Sequence, residues 1–137
     1  MVNAMVTKEP TTLNPVPSLQ STLAYGNLME IFNERSEKTR LKAMKKYYAD
    51  DIVFYEPQSI YQGHEEISKV AQDILDKNPD WGFQPITPII ANHDLIMLAW
   101  GFGPPGDFKV RGQDILLLEA GKIKTLYVVI EGQSEVM

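Results

Sequence analysis

The chain has no cysteine among its 137 residues. That excludes disulfides, a thiolate nucleophile and any cysteine-held zinc or iron–sulfur centre. Only two histidines occur, His64 and His93. Neither has a partner ligand at helical or hairpin spacing, so no metal is expected. Positive charge is in deficit: 13 Lys and Arg against 18 Asp and Glu leave a formal net charge of −5. Such a balance argues against nucleic acid or an anionic membrane as partner. No stretch approaches the ~20 apolar residues of a membrane-crossing helix, and no basic leader precedes an apolar run. The expected location is the cytoplasm. Glycine-rich phosphate loops, nucleophile elbows and dinucleotide fingerprints are also missing, so no cofactor is expected.

What is present is an ordinary globular composition, 44% apolar and 23% charged, enough for one domain with a real core. Residues 1–17 hold Pro10, Pro15 and Pro17 without periodicity. They read as a flexible tail ahead of a single domain over 18–137. Ser18 is placed to cap a first helix carrying Leu19, Leu23, Leu28, Ile31 and Phe32. After a polar break at 33–39, a second helix turns Leu41, Met44, Tyr47 and Tyr48 inward. Arg40, Lys42, Lys45 and Lys46 then form a mostly solvated basic face. A strand over 52–56 follows, then a connection through Pro57 and Gly63. Ile67, Val70, Ala71, Ile74 and Leu75 recur at ideal helical spacing, and Asn78-Pro79 stops that third helix.

Four strands complete the chain, over 81–90, 95–102, 108–118 and 123–131. Pro85 and Pro88 remove ladder donors, which assigns the first of them to an edge or a bulge. Helices segregated to one face of a mostly antiparallel sheet define an α+β architecture. The last strands are apolar on both faces, and no further element is left to cover the second one. A homodimer packed through that outer sheet face is the economical expectation; Trp81, Trp100 and Phe102 could line a pocket, but Trp100 is assigned to the dimer face.

Two carboxylates stand out within this pattern. Glu56 ends the run Ile52-Val53-Phe54-Tyr55-Glu56-Pro57, and Asp114 opens Asp114-Ile115-Leu116-Leu117-Leu118. Side chains alternate along a strand, so Glu56 shares a face with Phe54, and Asp114 shares one with Leu116. Facing inward, each must be paired, hydrogen-bonded or held neutral by a raised pKa. The pair is the candidate acid/base set. The structural alternative has Asp114 accepting bonds from tyrosine hydroxyls or backbone, with Glu56 at a solvated mouth.

The run Tyr48-Ala49-Asp50-Asp51-Ile52-Val53-Phe54, the helix start Gly63-His64-Glu65-Glu66-Ile67 and the closing segment Gly112-Gln113-Asp114-Ile115-Leu116 resemble the nuclear transport factor 2-like superfamily. Within it, the chain resembles the SnoaL-like polyketide cyclases and the ketosteroid isomerases over roughly residues 19–131. The resemblance implies a cone: a curved, mostly antiparallel sheet wrapped around three helices, with an apolar pocket at its open end. It implies Glu56 as general base and Asp114 as acid or oxyanion donor. Tyr25, Phe32, Tyr48, Phe54, Tyr61, Leu116, Val128 and Ile130 are the expected pocket wall.

The resemblance is incomplete. Phe32 stands where the isomerases carry a tyrosine donor, leaving Tyr25, Tyr48 or Tyr61 as replacements. The pocket histidines of the dehydratases have no counterpart, and Arg111 should face away from Asp114. The expected function is a cofactor-independent isomerase, cyclase or dehydratase acting on a small, mostly apolar carbonyl compound of polyketide, terpenoid or steroid type. Its alternatives are a non-catalytic binder of a small hydrophobic molecule and a dimeric adaptor with a closed cone.

Overall fold

The structure is a computed structural model that describes residues 18–136; the expected tail over 1–17 lies outside them. Helix α1 (Leu19–Tyr25) starts at Ser18, whose hydroxyl accepts from the Ser21 amide at 3.0 Å. It continues into a wider π-type stretch, Gly26–Phe32. There the Asn33 amide donates to the Leu28 carbonyl five residues back, at 3.0 Å. Gly26 is required where this helix meets the second, because a Cβ there would stand 2.5 Å from the Tyr47 ring. Helix α2 (Glu37–Tyr47) is capped by the Ser36 hydroxyl. Helix α3 (Gly63–Lys77) carries Glu65 and Glu66 in its first turn, where they suit the helix dipole.

Seven strands form one sheet: β1 (Tyr48–Glu56), β2 (Ser59–Gln62), β3 (Gly82–Pro85), β4 (Ile90–Asn92), β5 (Leu95–Gly103), β6 (Val110–Glu119) and β7 (Lys122–Ile130). Their order is β2-β1-β7-β6-β5-β3, with β4 also on β5. Every neighbouring pair is antiparallel except β1 with β7, which is parallel. The sheet is curved and unclosed, and the helices fill its concave side, giving the expected cone-shaped α+β fold. Leu23, Ile31, Met44, Ile52, Ile67 and Leu116 are fully or almost fully buried between the layers. Among the described residues no helix is long and apolar enough to cross a membrane.

Several local expectations need correction. The connection after Glu56 contains a strand, β2, folded back so that Glu56 pairs with Ser59 across Pro57-Gln58. Tyr48 opens β1 instead of closing α2, and stays buried. The strand expected over 81–90 is two short strands, β3 and β4, on the free side of β5. Pro85 and Pro88 account for the interruption, since neither donates to a ladder.

Arg40 does not lie on a solvated face but is fully buried. Its Nε donates to Ser68 Oγ at 2.9 Å, one Nη to the Glu34 carbonyl at 2.5 Å and the other to Gln72 Oε1 at 2.6 Å. The side chain fastens α2 to α3 and to the loop before α2. Lys42, Lys45 and Lys46 are exposed as expected. On the convex side of the sheet, Tyr55 and Tyr127 stack with centroids 4.6 Å apart. Tyr127 and Val129 are about 40% exposed there, so the outer face is apolar and uncovered in the single chain.

Candidate functional site

Strand β6 brings Asp114 to the concave face because its side chain alternates with the outward Gln113 and Ile115. In register, Asp114 lies between Leu98 of β5 and Val128 of β7. It is 6% exposed and opens onto an apolar cavity of about 80 Å³. Phe32, Phe54, Phe83, Val70, Ile74 and Leu126 form much of that cavity's wall. Glu56, at the end of β1, is the other carboxylate on it. The Glu56 side chain is half-buried, and its Oε1 accepts from the Gln58 amide at 3.2 Å across the turn into β2.

Both Asp114 oxygens are engaged. Oδ1 accepts from the Trp100 indole N–H at 2.8 Å, and Oδ2 from the Asn27 side-chain amide at 3.2 Å. Asn27 is itself fully buried, and its Oδ1 accepts from the Tyr48 hydroxyl. Desolvation pushes the Asp114 pKa up to about 7, against the two hydrogen bonds, which favour the carboxylate. Burial, and secondarily the negative charge of Asp114, pushes the Tyr48 phenol well above its ordinary value. Tyr48 therefore stays protonated and acts as a donor. A carboxyl with a pKa near 7 stands between its two protonation states close to neutrality.

Of the eight expected wall residues, Phe32, Phe54, Val128 and Ile130 line the cavity. The other four lie elsewhere. Tyr25 is 45% exposed, because the π-type stretch after it shifts which helical face meets the sheet. Leu116 is sealed in the core two residues beyond Asp114 on the same face of β6. Tyr61, on β2, packs beside Phe54 at 6.0 Å between centroids but is not part of the wall. Tyr48 sits beneath the site and reaches it only through Asn27. Trp100, expected on the outer face, is buried on the inner one. The residue opposite it in register is Gly112, where a Cβ would come within 2.5 Å of the indole. That glycine leaves room for the ring to lean along β6 toward Asp114.

Sequence reasoning missed Asn27 and the role of Trp100. For Asn27 a signal existed, since it falls four residues after Leu23 and four before Ile31 on one buried helical stripe. A polar side chain in that stripe demands an internal partner. Arg111 faces outward as expected, at the rim of a shallow groove of about 370 Å³ on the convex side. That groove is larger than the inner cavity, but among the described residues no buried titratable group opens onto it. Among the described residues no group of three or more metal-ligating side chains converges.

Residues 28–126 match the family model of the SnoaL-like domain. Among solved structures, the chain is similar to a candidate isomerase of the SnoaL-like family from Agrobacterium tumefaciens. That match has 20% identity and a TM-score of 0.76, covering 83% of this chain and 98% of that one. It is also similar to a candidate SnoaL-like polyketide cyclase from Jannaschia sp., with 7% identity, a TM-score of 0.69 and coverage of 89% and 92%. A candidate ketosteroid isomerase from Kribbella flavida aligns at 17% identity with a TM-score of 0.65, covering 87% and 82%. At such identities these likenesses concern the fold alone. No curated protein matches the sequence.

Proposed function

The chain belongs to the SnoaL-like family, and we propose that it is a cofactor-independent enzyme that isomerises or cyclises a compact, mostly apolar carbonyl compound by proton transfer. The observation that carries this reading is Asp114: a carboxyl in an apolar cavity, held by two donors, with its pKa raised to about 7. In this reading the Glu56 carboxylate removes a proton from the carbon next to the substrate carbonyl. The electron pair of that C–H bond moves onto the oxygen, and Asp114 supplies the hydrogen bond or proton that stabilises it. Returning the proton from Glu56 to a different carbon completes an isomerisation. Attack of the enol carbon on a second carbonyl would instead close a ring, the enol proton returning to Asp114 while the second carbonyl's oxygen takes up the displaced π pair and the proton held by Glu56. The cavity, about 80 Å³, is small beside the ~300–1,000 Å³ of sites for drug-sized ligands, which favours a compact substrate.

The test uses a panel of small enolisable ketones in D₂O, with exchange at the α-carbon followed by NMR. The parent should exchange one or more of them, and Glu56→Gln and Asp114→Asn should each slow that exchange by roughly 10²–10⁴-fold. Binding without exchange would sink the enzyme reading and leave a small-ligand carrier. One observation favours that second reading: both Asp114 oxygens already have fixed partners. The uncovered apolar face around Tyr127 and Val129 supports a homodimer through the outer sheet, which sedimentation would test directly.

A further inference from the structure

We infer that Tyr48, acting through the Asn27 carboxamide, keeps the proton of Asp114 free for a bound ligand and so serves as a positioning residue. This rests on the reading of Asp114 as the acid. An indole N–H only donates, so Trp100 offers a protonated Asp114 no acceptor. A carboxamide is ambivalent: turned by half a rotation, Asn27 would present its oxygen to Asp114 and capture the acid's proton. Tyr48 decides between the two orientations. Its hydroxyl is buried and, among the described residues, has Asn27 Oδ1 as its one hydrogen-bond partner. Turning the carboxamide would strand the phenol's proton without an acceptor, which is costly inside a protein.

The amide is therefore held with its N–H toward Asp114 Oδ2 at 3.2 Å. Among the described residues, the hydrogen-bond partners of Asp114 are then two donors and no acceptor. A proton on Asp114 points by elimination into the cavity, toward an acceptor oxygen on the ligand. The titratable groups facing this cluster are Glu56, on the same cavity, and Tyr48 behind Asn27, both on β1. His64 packs edge-on against Tyr48 and bonds the Ala49 carbonyl through Nε2 at 3.0 Å, one shell further out. The helical stretch, β5 and α3 present Asn27, Trp100, Val70 and Ile74, none of which titrates.

Trp100 provides the readout, because its indole bonds Asp114 directly. In a Trp81→Phe background it is the sole tryptophan, and its fluorescence should titrate with a midpoint near 7. Adding Tyr48→Phe frees the carboxamide to turn and stabilise the neutral acid, so the midpoint should rise by about one unit. Asn27→Leu should also raise it, by removing a donor to the carboxylate. Once Asn27→Leu is present, Tyr48→Phe should add nothing, because its effect runs through the amide. An unchanged midpoint in Tyr48→Phe, or a shift that persists in the Asn27→Leu background, would overturn the relay alone. Absence of any transition in the parent would overturn the acid reading of Asp114 and the relay with it. If a variant does not fold, NMR of the Asn27 side-chain amide in the unaltered protein decides. Its N–H signals should move through the same midpoint, and signals indifferent to pH would overturn the proposal.

Discussion

Arg40, at 0% exposure, and Asp114, at 6%, are the two charged residue types in the core among the described residues. Neither meets an opposite charge within bonding distance. Arg40 lies between helices, where each of its three nitrogens donates to a neutral acceptor. Desolvation lowers its pKa, offset by the more distant Glu37, Glu34 and Asp76. Asp114 has two neutral donors on its oxygens but opens onto the apolar cavity. The contrast teaches how to tell a buried charge that braces a fold from one that the proposed reaction can use. The first is enclosed by protein, while the second keeps one direction free toward a cavity. Burial alone does not separate them.

The comparison can be sharpened first through pH. The Asp114 pKa is raised in the folded state to about 7, so the folded chain holds a proton that the unfolded chain has released. Stability contributed by that protonation is full below the unfolded carboxylate pKa near ~4 and declines as pH rises toward 7. The loss amounts to about 2–4 kcal/mol over that window. Asp114→Asn should lack this slope, so urea denaturation at pH 4.5 and pH 8 should show the variant gaining on the parent as pH rises. A parent whose stability is flat across the window would show Asp114 to be as thoroughly braced as Arg40.

Arg40→Ala comes next. Removing it leaves Ser68 and Gln72 without their partner and opens a void, at a cost of about 3 kcal/mol. That loss should hardly vary between pH 5 and 9, and the Trp100 titration midpoint should stay where it is. A moved midpoint would join the two clusters into one network. Trp100→Phe should have a smaller effect, about 1–2 kcal/mol, since it leaves one Asp114 oxygen without a donor. It should also raise the Asp114 midpoint above that of the parent, read by NMR of the carboxyl carbon. Glu56→Gln should change stability by no more than about 0.5 kcal/mol, because the side chain is half-buried and bonded only to the adjacent turn. Its effect belongs in the exchange assay, and a large stability loss would move Glu56 to the bracing side of the comparison.

Much of the framework was readable from residue order. Ile67, Val70, Ala71, Ile74 and Leu75 announced α3, and the short apolar run after Asp114 announced β6, because each pattern lies within one element. Tyr25 was misassigned for a local reason: the π-type stretch changes the helical period just after it, which an assumed 3.6-residue repeat hides. Arg40 was misassigned because a cationic helix residue is ordinarily solvated. Its acceptors Ser68 and Gln72 lie 28 and 32 residues away on another helix. Trp100 pointed inward because Gly112 vacates the space opposite it, a fact of strand register.

The sequence by itself determined the α+β class and the order of its main elements, since periodicity and punctuation tell a helix from a strand within one segment. Only the tertiary structure decided what Asp114 meets. Asn27 comes from 87 residues earlier and Trp100 from the neighbouring strand, and Tyr48 arrives through Asn27. Periodicity assigns a side chain to a face, but a hydrogen bond needs two groups within about 3 Å. That distance is set by strand register and helix packing, which exist only once the chain has folded.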